Sequence, residues 1–228
     1  MKSLRSIAHR LWPPTCVLCD ETGMPGWDLC RPCYQELPRN VCCCPRCAQP
    51  LPVSYLCGHC QKSLPNFDIT YAPFLYDGAI SYLVTGLKFR RRLAYARVLG
   101  QLFAEVLQTQ PNRPECLIPV PLHRKRRVQR GFNQSLEIAR VIANRLDIAM
   151  DAGLCQRIID TPHQSGLTAD ERRKNLQGAF RAAPRIARYR HVAVFDDVMT
   201  TGTTLNEIAR CLKRAGVTTV EAWVCTRA

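Results

Sequence analysis

Long apolar runs are missing from this 228-residue sequence, and acidic side chains are scarce. No run approaches the roughly 20 apolar residues of a membrane-spanning helix, which argues against an integral membrane protein of that kind. Asp and Glu number 18 against 32 Lys and Arg, so the formal net charge is +14. Such a basic chain favours anionic partners, such as phosphorylated small molecules, nucleic acid or lipid headgroups. The apolar fraction of 46% is that of a globular protein.

The first twelve residues lack the features of a secretory signal. They have neither a continuous apolar core nor a small-residue cleavage site. Leu4, Ile7 and Leu11 share one helical face, which predicts a short helix packed on its own domain, with an interfacial membrane anchor as the alternative. We therefore expect a cytoplasmic protein, and a peripheral position at the inner membrane stays open.

Cysteine, in contrast, is abundant and unevenly distributed. Ten of the 14 cysteines lie within the first sixty residues, and eight of them form Cys-x-x-Cys pairs. That segment is Pro-rich with little periodic apolar pattern, so it needs covalent or metal staples to fold. Such pairs hold metal more often than disulfides, and we expect a reducing compartment and two structural zinc ions. The predicted ligands are Cys16, Cys19, Cys30, Cys33, Cys44, Cys47, Cys57 and Cys60.

The spacing of the pairs favours two zinc ribbons that follow one another. Ten residues separate the first two pairs and nine separate the last two. A cross-brace, in which the first pair joins the third, is the alternative. Cys42 could compete for the second site, but Cys44 alone keeps the two-residue spacing to Cys47. A zinc held by four thiolates carries about −2, so two sites would reduce the net charge to about +10.

Residues 191–210 form a strand–loop–helix pattern with the chemistry of a ligand site. An apolar run predicts a buried strand, and apolar residues at helical spacing follow the loop. Asp196 and Asp197 stand between them, and paired carboxylates suit vicinal hydroxyls. A loop entering a helix N-terminus offers unpaired N–H groups and the positive end of the helix dipole, which suits phosphate. A ribose 5-phosphate has both groups. The loop residues predicted to bind it are Thr200, Thr201, Gly202, Thr203 and Thr204.

This loop is neither of the two common nucleotide loops. It has no Lys before the Ser or Thr, as a P-loop requires, and only one of the three glycines of a dinucleotide fingerprint. It resembles the motif by which type I phosphoribosyltransferases bind 5-phosphoribosyl 1-diphosphate (PRPP). The resemblance implies that Asp196 and Asp197 hold the ribose hydroxyls and favour positive charge at the anomeric carbon. Magnesium would bridge the diphosphate. An ordinary polar turn is the alternative.

A second strand–loop–helix unit lies upstream. A strand over residues 116–120 leads into a basic loop, and Asn133 is a plausible N-cap for the helix that follows. In a doubly wound sheet such loops gather at the carboxyl ends of the strands, where a basic loop suits a diphosphate. His123 and Arg124 are therefore predicted PRPP ligands. The predicted single-stranded DNA surface comprises Arg126, Arg127 and Arg130, and a merely solvated charge run is the alternative.

The alternation of strands and helices predicts a mostly parallel α/β sheet with helices on both faces. The long polar segment 159–175 predicts a lid, with Arg172 covering the leaving group. An acceptor would meet residues near 76–88.

Several motifs together resemble the ComF family, of the ComFC and GntX type, over nearly the whole chain. They are the cysteine pairs, YDG, LKF, PVPLHRKRRVQRGFNQS, QSGLTADERRKNLQGAF and VFDDVMTTGTT. The resemblance implies a double zinc ribbon over residues 1–65 on a type I phosphoribosyltransferase-like domain over 66–228. It also implies a link to competence or to the use of external DNA as nutrient, with competence or DNA-uptake proteins at the inner membrane as partners.

Two functions stay open at this point. One is a protein that binds PRPP or a ribose 5-phosphate compound and acts in DNA uptake or utilisation, with single-stranded DNA as a partner. The alternative is an active phosphoribosyltransferase on an unidentified base or amine, without direct DNA contact. Aromatic residues are few in the basic runs, and Phe89 and Phe132 are the main candidates for base stacking.

Overall fold

The computed structural model describes residues 13–159 and 175–228. The predicted N-terminal helix, the predicted lid with Arg172, and the side chains of Arg124 and Arg127 lie outside this description. The helices are α1 (Arg31–Gln35), α2 (Gly58–Lys62), α3 (Gly78–Arg90), α4 (Ala94–Leu107), α5 (Arg124–Arg130), α6 (Gln134–Leu146) and α7 (Thr203–Arg214). The strands are β1 (Ile69–Tyr71), β2 (Phe74–Leu75), β3 (Cys116–Pro119), β4 (Ala149–Met150), β5 (Cys155–Arg157), β6 (Phe180–Ala182), β7 (His191–Met199) and β8 (Thr219–Arg227). A 3₁₀ turn spans Pro184–Arg188.

A parallel sheet lies at the centre of the region that follows the cysteine-rich segment. The strand order is β1–β8–β7–β3–β4, and β2 pairs with the end of β8. All of these pairings are parallel. The register places Phe195 of β7 beside Pro119 of β3 on one side and Trp223 of β8 on the other. The carboxyl ends of β3, β7 and β8 therefore share one edge, where open α/β sheets bind ligands.

Alternate residues of β7 face two different cores, as the two-residue period of a strand requires. Ala193 and Phe195 pack with α4 and α6, and the rings of Phe103 and Phe195 meet edge to face at 5.5 Å. Val192 and Val194 face the opposite core, which includes the apolar stripe of α7. The predicted mostly parallel sheet with helices on both faces is confirmed.

The sequence of residues 79–97 is mostly helical in pattern, and the structure divides it into two helices. Arg91 adopts a left-handed conformation (φ 54°) and ends α3, and α4 begins three residues later. Apolar residues at helical spacing in α4 predict a buried stripe, and Ala96, Leu99 and Phe103 are buried as this spacing predicts. The same spacing predicts a buried Val106, but this residue lies in the last turn of α4 and is 38% exposed.

Three further elements differ from the sequence prediction. The basic segment predicted as a loop is helix α5, because Arg, Lys and Gln favour helix and the first left-handed glycine, Gly131 (φ 77°), comes after it. β7 extends beyond Phe195 to Met199, because its pairing with β8 continues to Arg227. The apolar pattern of residues 154–158 predicts a further strand, and the strand found there, β5, pairs with β6 in a separate antiparallel sheet.

Two predicted helix ends are confirmed. Asn133 caps α6, since its side chain accepts a hydrogen bond from the Ser135 N–H at 3.1 Å. A glycine after a basic last turn predicts the end of the last helix, and Gly216, with φ 101°, follows the end of α7. Among the helices of the described ranges, none has the length and apolarity needed to cross a membrane.

Candidate functional site

The eight predicted cysteines lie in two tetrads, each a zinc-binding site of four thiols. Cys16, Cys19, Cys30 and Cys33 form the first, and Cys44, Cys47, Cys57 and Cys60 form the second. The four sulfurs of each tetrad lie within 4.8 Å of one another, as four tetrahedral ligands of one zinc require. The ribbons are therefore sequential, and the cross-brace is wrong. Cys42 stays outside the second tetrad, and His59 is exposed, as expected for a side chain that is no ligand.

One thiol in each tetrad has a lowered pKa, which favours the deprotonated form that binds zinc. Burial acts to raise the pKa of Cys44, but N–H groups from Cys57, Cys47 and Arg46 lower it to about 7. Cys16 has the same arrangement, with burial opposed by backbone N–H groups, and a pKa of about 7. The donor set is all sulfur, which suits a structural zinc.

The two acidic residues lie at the carboxyl end of β7, and each carboxylate is held by a different helix. Asp196 Oδ1 accepts hydrogen bonds from Ser135 Oγ of α6 and from its neighbour's backbone N–H, both at 2.9 Å. Asp197 is buried, and its Oδ2 lies 3.2 Å from Lys88 Nζ of α3. Burial, together with the charge of Asp197, raises the pKa of Asp196 to about 7.

One of these oxygens is left without a donor. Within the described part of the chain, Asp197 Oδ2 is buried and accepts no hydrogen bond, although Lys88 balances its charge. A buried oxygen without a donor costs free energy unless a ligand or water completes it. A ribose hydroxyl, or a water on a magnesium ion, has the chemistry to do so.

The threonine loop turns sharply into α7 at Gly202, which has φ 75° and caps the helix. A side chain there would be strained, and its Cβ would lie 2.5 Å from Met199 Cε. Thr201 Oγ1 and Thr203 Oγ1 lie 2.8 Å apart, so two hydroxyls gather at the helix N-terminus. Backbone N–H groups, hydroxyls and the helix dipole together form an anion site.

A cavity of about 380 Å³ joins these parts at the carboxyl edge of the sheet. It is lined by both acids, by all five loop residues from 200 to 204, and by Lys88. Its other walls carry Ser135, Arg126, Arg130 and Arg157. The cavity thus presents two carboxylates, several hydroxyls and four cationic side chains to one volume.

Not every predicted site residue lines this cavity. Arg126 and Arg130, predicted to contact single-stranded DNA, line it, whereas the predicted PRPP ligand His123 does not. The His123 Nδ1 instead accepts a hydrogen bond from the Lys125 N–H at 3.4 Å. Arg124 begins α5, with its side chain outside the described residues, and Arg172 is outside them altogether.

Three lining residues were not assigned to the ligand from the sequence. Ser135 follows the N-cap Asn133 by two residues, so its place in the first helical turn was a usable signal. Lys88 is predicted only as part of an acceptor region, and its ion pair with Asp197 depends on how α3 crosses the sheet edge. Arg157 comes from β5, whose pairing with β6 in a separate sheet no local pattern reveals.

Arg227, at the end of β8, connects the second ribbon to the threonine loop. Its guanidinium donates to the carbonyl of Cys47 at 3.3 Å and to Gln49 Oε1 at 2.6 Å. On its other side it donates to the carbonyls of Met199, at 3.0 Å, and Thr200. The side chain is buried, so these contacts are shielded from water. The second ribbon therefore supports the backbone of the candidate phosphate loop.

Comparison with known proteins agrees with this organisation. A family described as "Double zinc ribbon domain" matches residues 7–61. The DNA utilization protein YhgH of Salmonella typhimurium is 34% identical over 222 residues, 94% of this chain and 97% of that protein. Competence protein F of Haemophilus influenzae is 34% identical over 208 residues, 88% of this chain and 90% of that protein.

The chain belongs to the ComF family. A more distant relative, competence protein ComFC of Bacillus subtilis, is 24% identical over 88% of this chain and 89% of its own length. The predicted family and its N-terminal double zinc ribbon are thereby confirmed.

Solved structures similar to this ComF protein share less of its chain. Glutamine PRPP amidotransferase from Bacillus subtilis, complexed with ADP and GMP, has a TM-score of 0.39 and 19% identity. It covers 57% of this chain, which spans 25% of that protein. A purine phosphoribosyltransferase from Pyrococcus horikoshii has a TM-score of 0.35 and 17% identity, covering 59% of this chain and 83% of that one. At these values the likeness carries no argument about activity.

Proposed function

We propose that this ComF protein binds PRPP or another ribose 5-phosphate compound with magnesium, and acts in DNA uptake or the use of external DNA as nutrient. The observation that carries the proposal is the single cavity that unites Asp196 and Asp197 with the threonine loop and cationic side chains. A phosphate, a vicinal diol and a diphosphate each find a matching group in it.

The 5-phosphate fits the threonine loop. The loop offers the N-terminus of α7, a helix of 12 residues, so its dipole and free N–H groups favour an anion there. The hydroxyls of Thr201 and Thr203 add donors. Gly202 permits close approach of the backbone, since any side chain would meet Met199.

The ribose hydroxyls fit the carboxylate pair. Asp197 supplies a buried oxygen without a hydrogen-bond donor, and Asp196 is oriented by Ser135. Lys88 keeps the net charge of the pair low, so two adjacent acids do not repel the ligand's phosphates outright.

The diphosphate fits the cationic wall. Arg126, Arg130 and Arg157 line the same cavity as the loop. Arg is suited to bidentate phosphate contacts. A magnesium ion, when bound, would neutralise part of the diphosphate charge. Carboxylate oxygens suit this ion as ligands, either directly or through the waters that it keeps. His123, Arg124 and Arg172 belong to the same proposal as ligands from the flanking segments.

The DNA role is supported by the names of the relatives and by charge. YhgH is named a DNA utilization protein, and two other relatives are named competence proteins. The net charge of +14, about +10 after two zinc sites, suits a polyanion. Arg126, Arg127 and Arg130 are the proposed contacts for single-stranded DNA, and uptake proteins at the inner membrane are proposed partners.

The first test is calorimetry of the zinc-loaded chain with magnesium and PRPP. We expect binding in the wild type. Asp197→Asn keeps the size but removes the charge, so it should weaken binding by about tenfold or more, the value of a charged hydrogen bond. Its zinc content should stay at two. No binding at millimolar ligand would make the motif vestigial.

The second candidate function is phosphoribosyl transfer to an unidentified base or amine, without direct DNA contact. The intact carboxylate pair beside Lys88 favours it, since such a pair can stabilise positive charge at an anomeric carbon. The discriminating measurement is pyrophosphate release from PRPP with a panel of bases and amines. Asp196→Ala is the control, and release that it does not abolish would not come from this cavity.

A further inference from the structure

A second cavity lies beside helix α3, outside the cavity proposed above to bind PRPP, which we call the PRPP cavity. Its volume is about 260 Å³, and it is formed by tyrosine, arginine and small polar side chains. The lining residues are Ser81, Tyr82, Thr85, Gly86, Arg90, Arg92 and Tyr95. We call it the tyrosine–arginine cavity. None of its lining residues belongs to the PRPP cavity, whose α3 residue is Lys88.

The two tyrosines of this cavity are held in place before any ligand binds. The Tyr82 and Tyr95 rings lie 5.8 Å apart, and their hydroxyls are 3.3 Å apart. The Arg92 guanidinium donates to the Tyr95 hydroxyl at 2.6 Å. The Tyr95 ring lies close against α3, since a Cβ at Gly86 would be 2.5 Å from its edge. Rings fixed in this way lose little conformational entropy on binding.

Aromatic and cationic groups next to the cavity are exposed. Phe89 is 68% exposed and Tyr82 is 42% exposed, and both lie on α3 at a separation of two turns. The left-handed turn at Arg91 then presents three consecutive arginines, Arg90 to Arg92, to solvent. In the part of the chain that the structure describes, no carboxylate forms an ion pair with any of them.

This surface is continuous with the PRPP cavity. The Arg130 guanidinium, which lines that cavity, lies 6.0 Å from the centre of the Phe89 ring. The Arg91 guanidinium lies beside Gly131, just after the basic helix α5, since a Cβ at Gly131 would be 3.8 Å from it. A strand of phosphates crossing this face would meet cationic groups along its whole path.

Exposed aromatic faces interleaved with solvent-facing arginines fit single-stranded nucleic acid better than a duplex. Bases of a single strand are free to stack on aromatic rings, whereas those of a duplex are already stacked on each other. Arginines along the same path neutralise phosphates without reading sequence. A free phosphorylated metabolite would explain the arginines but not the solvent-facing Phe89.

We propose that Tyr82, Phe89 and Arg90–Arg92 form a stacking platform for single-stranded DNA that borders the PRPP cavity and shares no lining residue with it. The proposal rests on the DNA role proposed above and extends its surface from Arg126, Arg127 and Arg130 onto α3 and the turn that follows it. Bases stack on Phe89 and Tyr82, and the arginines contact the phosphates between them.

The test is fluorescence anisotropy of a labelled oligothymidylate with the full zinc-loaded chain. Phe89→Ala should weaken binding about 5- to 150-fold, the effect of losing one stacked base, and leave the salt dependence unchanged. Phe89→Tyr should restore most of the affinity. With an abasic strand of the same length, wild type and Phe89→Ala should bind equally. The double variant Arg90→Gln, Arg91→Gln should instead reduce the log–log salt slope by about 0.7 per lost phosphate contact.

Tyr55→Ala is the matched control, because Tyr55 is a 47% exposed aromatic residue in the second ribbon. It should bind DNA as the wild type does. Wild-type binding that is weakened by Tyr55→Ala but not by Phe89→Ala would overturn the platform and place DNA on the ribbon. No binding by the wild type at low salt would remove the DNA role itself. Calorimetry with PRPP separates the two, since Phe89→Ala should leave PRPP affinity and zinc content unchanged.

Discussion

The two zinc ribbons have the same ligands and nearly the same spacing, but they have different neighbours. The first packs near α4, where Tyr34 donates a hydrogen bond to Glu105 and Arg97 pairs with Asp28. The second lies beside the candidate phosphate loop, connected to it by Arg227. One motif, repeated in sequence, therefore has two roles that depend on its place in the fold. The first copy packs against the scaffold, and the second supports the candidate site.

The second ribbon is also tied to the start of the sheet. Arg46 donates to the carbonyl of Asp68 at 2.6 Å, and the Thr70 hydroxyl donates to the carbonyl of Arg46 at 2.7 Å. Its buried cysteines share a core with Phe67, Met199 and Leu205, which flank the PRPP cavity or its loop. Loss of the second ribbon should therefore weaken ligand binding, whereas loss of the first should not.

The largest expected effect comes from removing a zinc ligand. Cys44→Ser and Cys16→Ser should each reduce the zinc content from two ions to one, because a structural site contributes on the order of 10 kcal/mol to folding its module. Only Cys44→Ser should also weaken PRPP binding. Elemental analysis and calorimetry on the same samples measure both, and Cys42→Ser is the control that keeps two zinc ions.

Equal loss of PRPP affinity in the two cysteine variants would contradict the contrast between the ribbons. A wild-type zinc content of one or none would contradict the two-ribbon organisation itself. Iron with visible absorbance would indicate an electron-transfer cluster in its place.

Features formed by residues close together in the chain could be predicted from the sequence, whereas features formed by distant residues could not. The tetrads could be predicted residue by residue, because each Cys-x-x-Cys turn brings its two sulfurs together locally. The threonine loop and the acids could be predicted for a similar reason, since strand, loop and helix are contiguous there. Lys88, Arg157 and Arg227 could not, because tertiary packing alone brings them to their partners. Lys88 and Arg157 line the cavity, and Arg227 contacts the loop beside it, from elements far apart in the chain.

Local patterns also misjudged where elements end. The pattern around Arg91 is helical throughout, and only the left-handed turn observed there separates α3 from α4. That turn creates the exposed arginines of the stacking platform. The basic helix α5 could not be predicted either, because a run of charged residues lacks the apolar periodicity that indicates a helix.

The next largest effect tests whether single-stranded DNA binds the basic surface beside the PRPP cavity or one of the zinc ribbons. Replacing Arg126, Arg127 and Arg130 by Ala should flatten the log–log salt slope for single-stranded DNA by about two units, at about 0.7 per phosphate. PRPP with magnesium should compete with DNA in the wild type, because both anions need the same positive charge. Anisotropy over a salt series measures the slope. A normal slope without competition would place DNA on the zinc ribbons.

A smaller effect should follow from cutting the link between ribbon and loop. Arg227→Lys keeps the charge but cannot reach both sides, since a guanidinium fork satisfies carbonyls that one ammonium cannot. We expect two zinc ions to be retained and PRPP affinity to fall about tenfold, the cost of about one lost hydrogen bond to a charged group. Unchanged PRPP affinity with two zinc ions would show that the link is structurally present but unimportant for the ligand.

The smallest expected effect is the pH dependence of PRPP binding, which tests the role of Asp196. Burial and the charge of Asp197 raise the pKa of Asp196 to about 7, so this acid is largely protonated below that pH. Because the raised pKa favours the protonated folded state, Asp196 stabilises the fold less as pH rises towards 7. The ionised form accepts hydroxyl hydrogen bonds on both oxygens, so affinity for PRPP with magnesium should rise a few-fold from about pH 6.5 to about pH 8. Calorimetry at the two pH values measures this, and Asp196→Asn should flatten the profile. A rise that persists in Asp196→Asn would assign it to the ligand's own phosphate, whose second pKa is about 6.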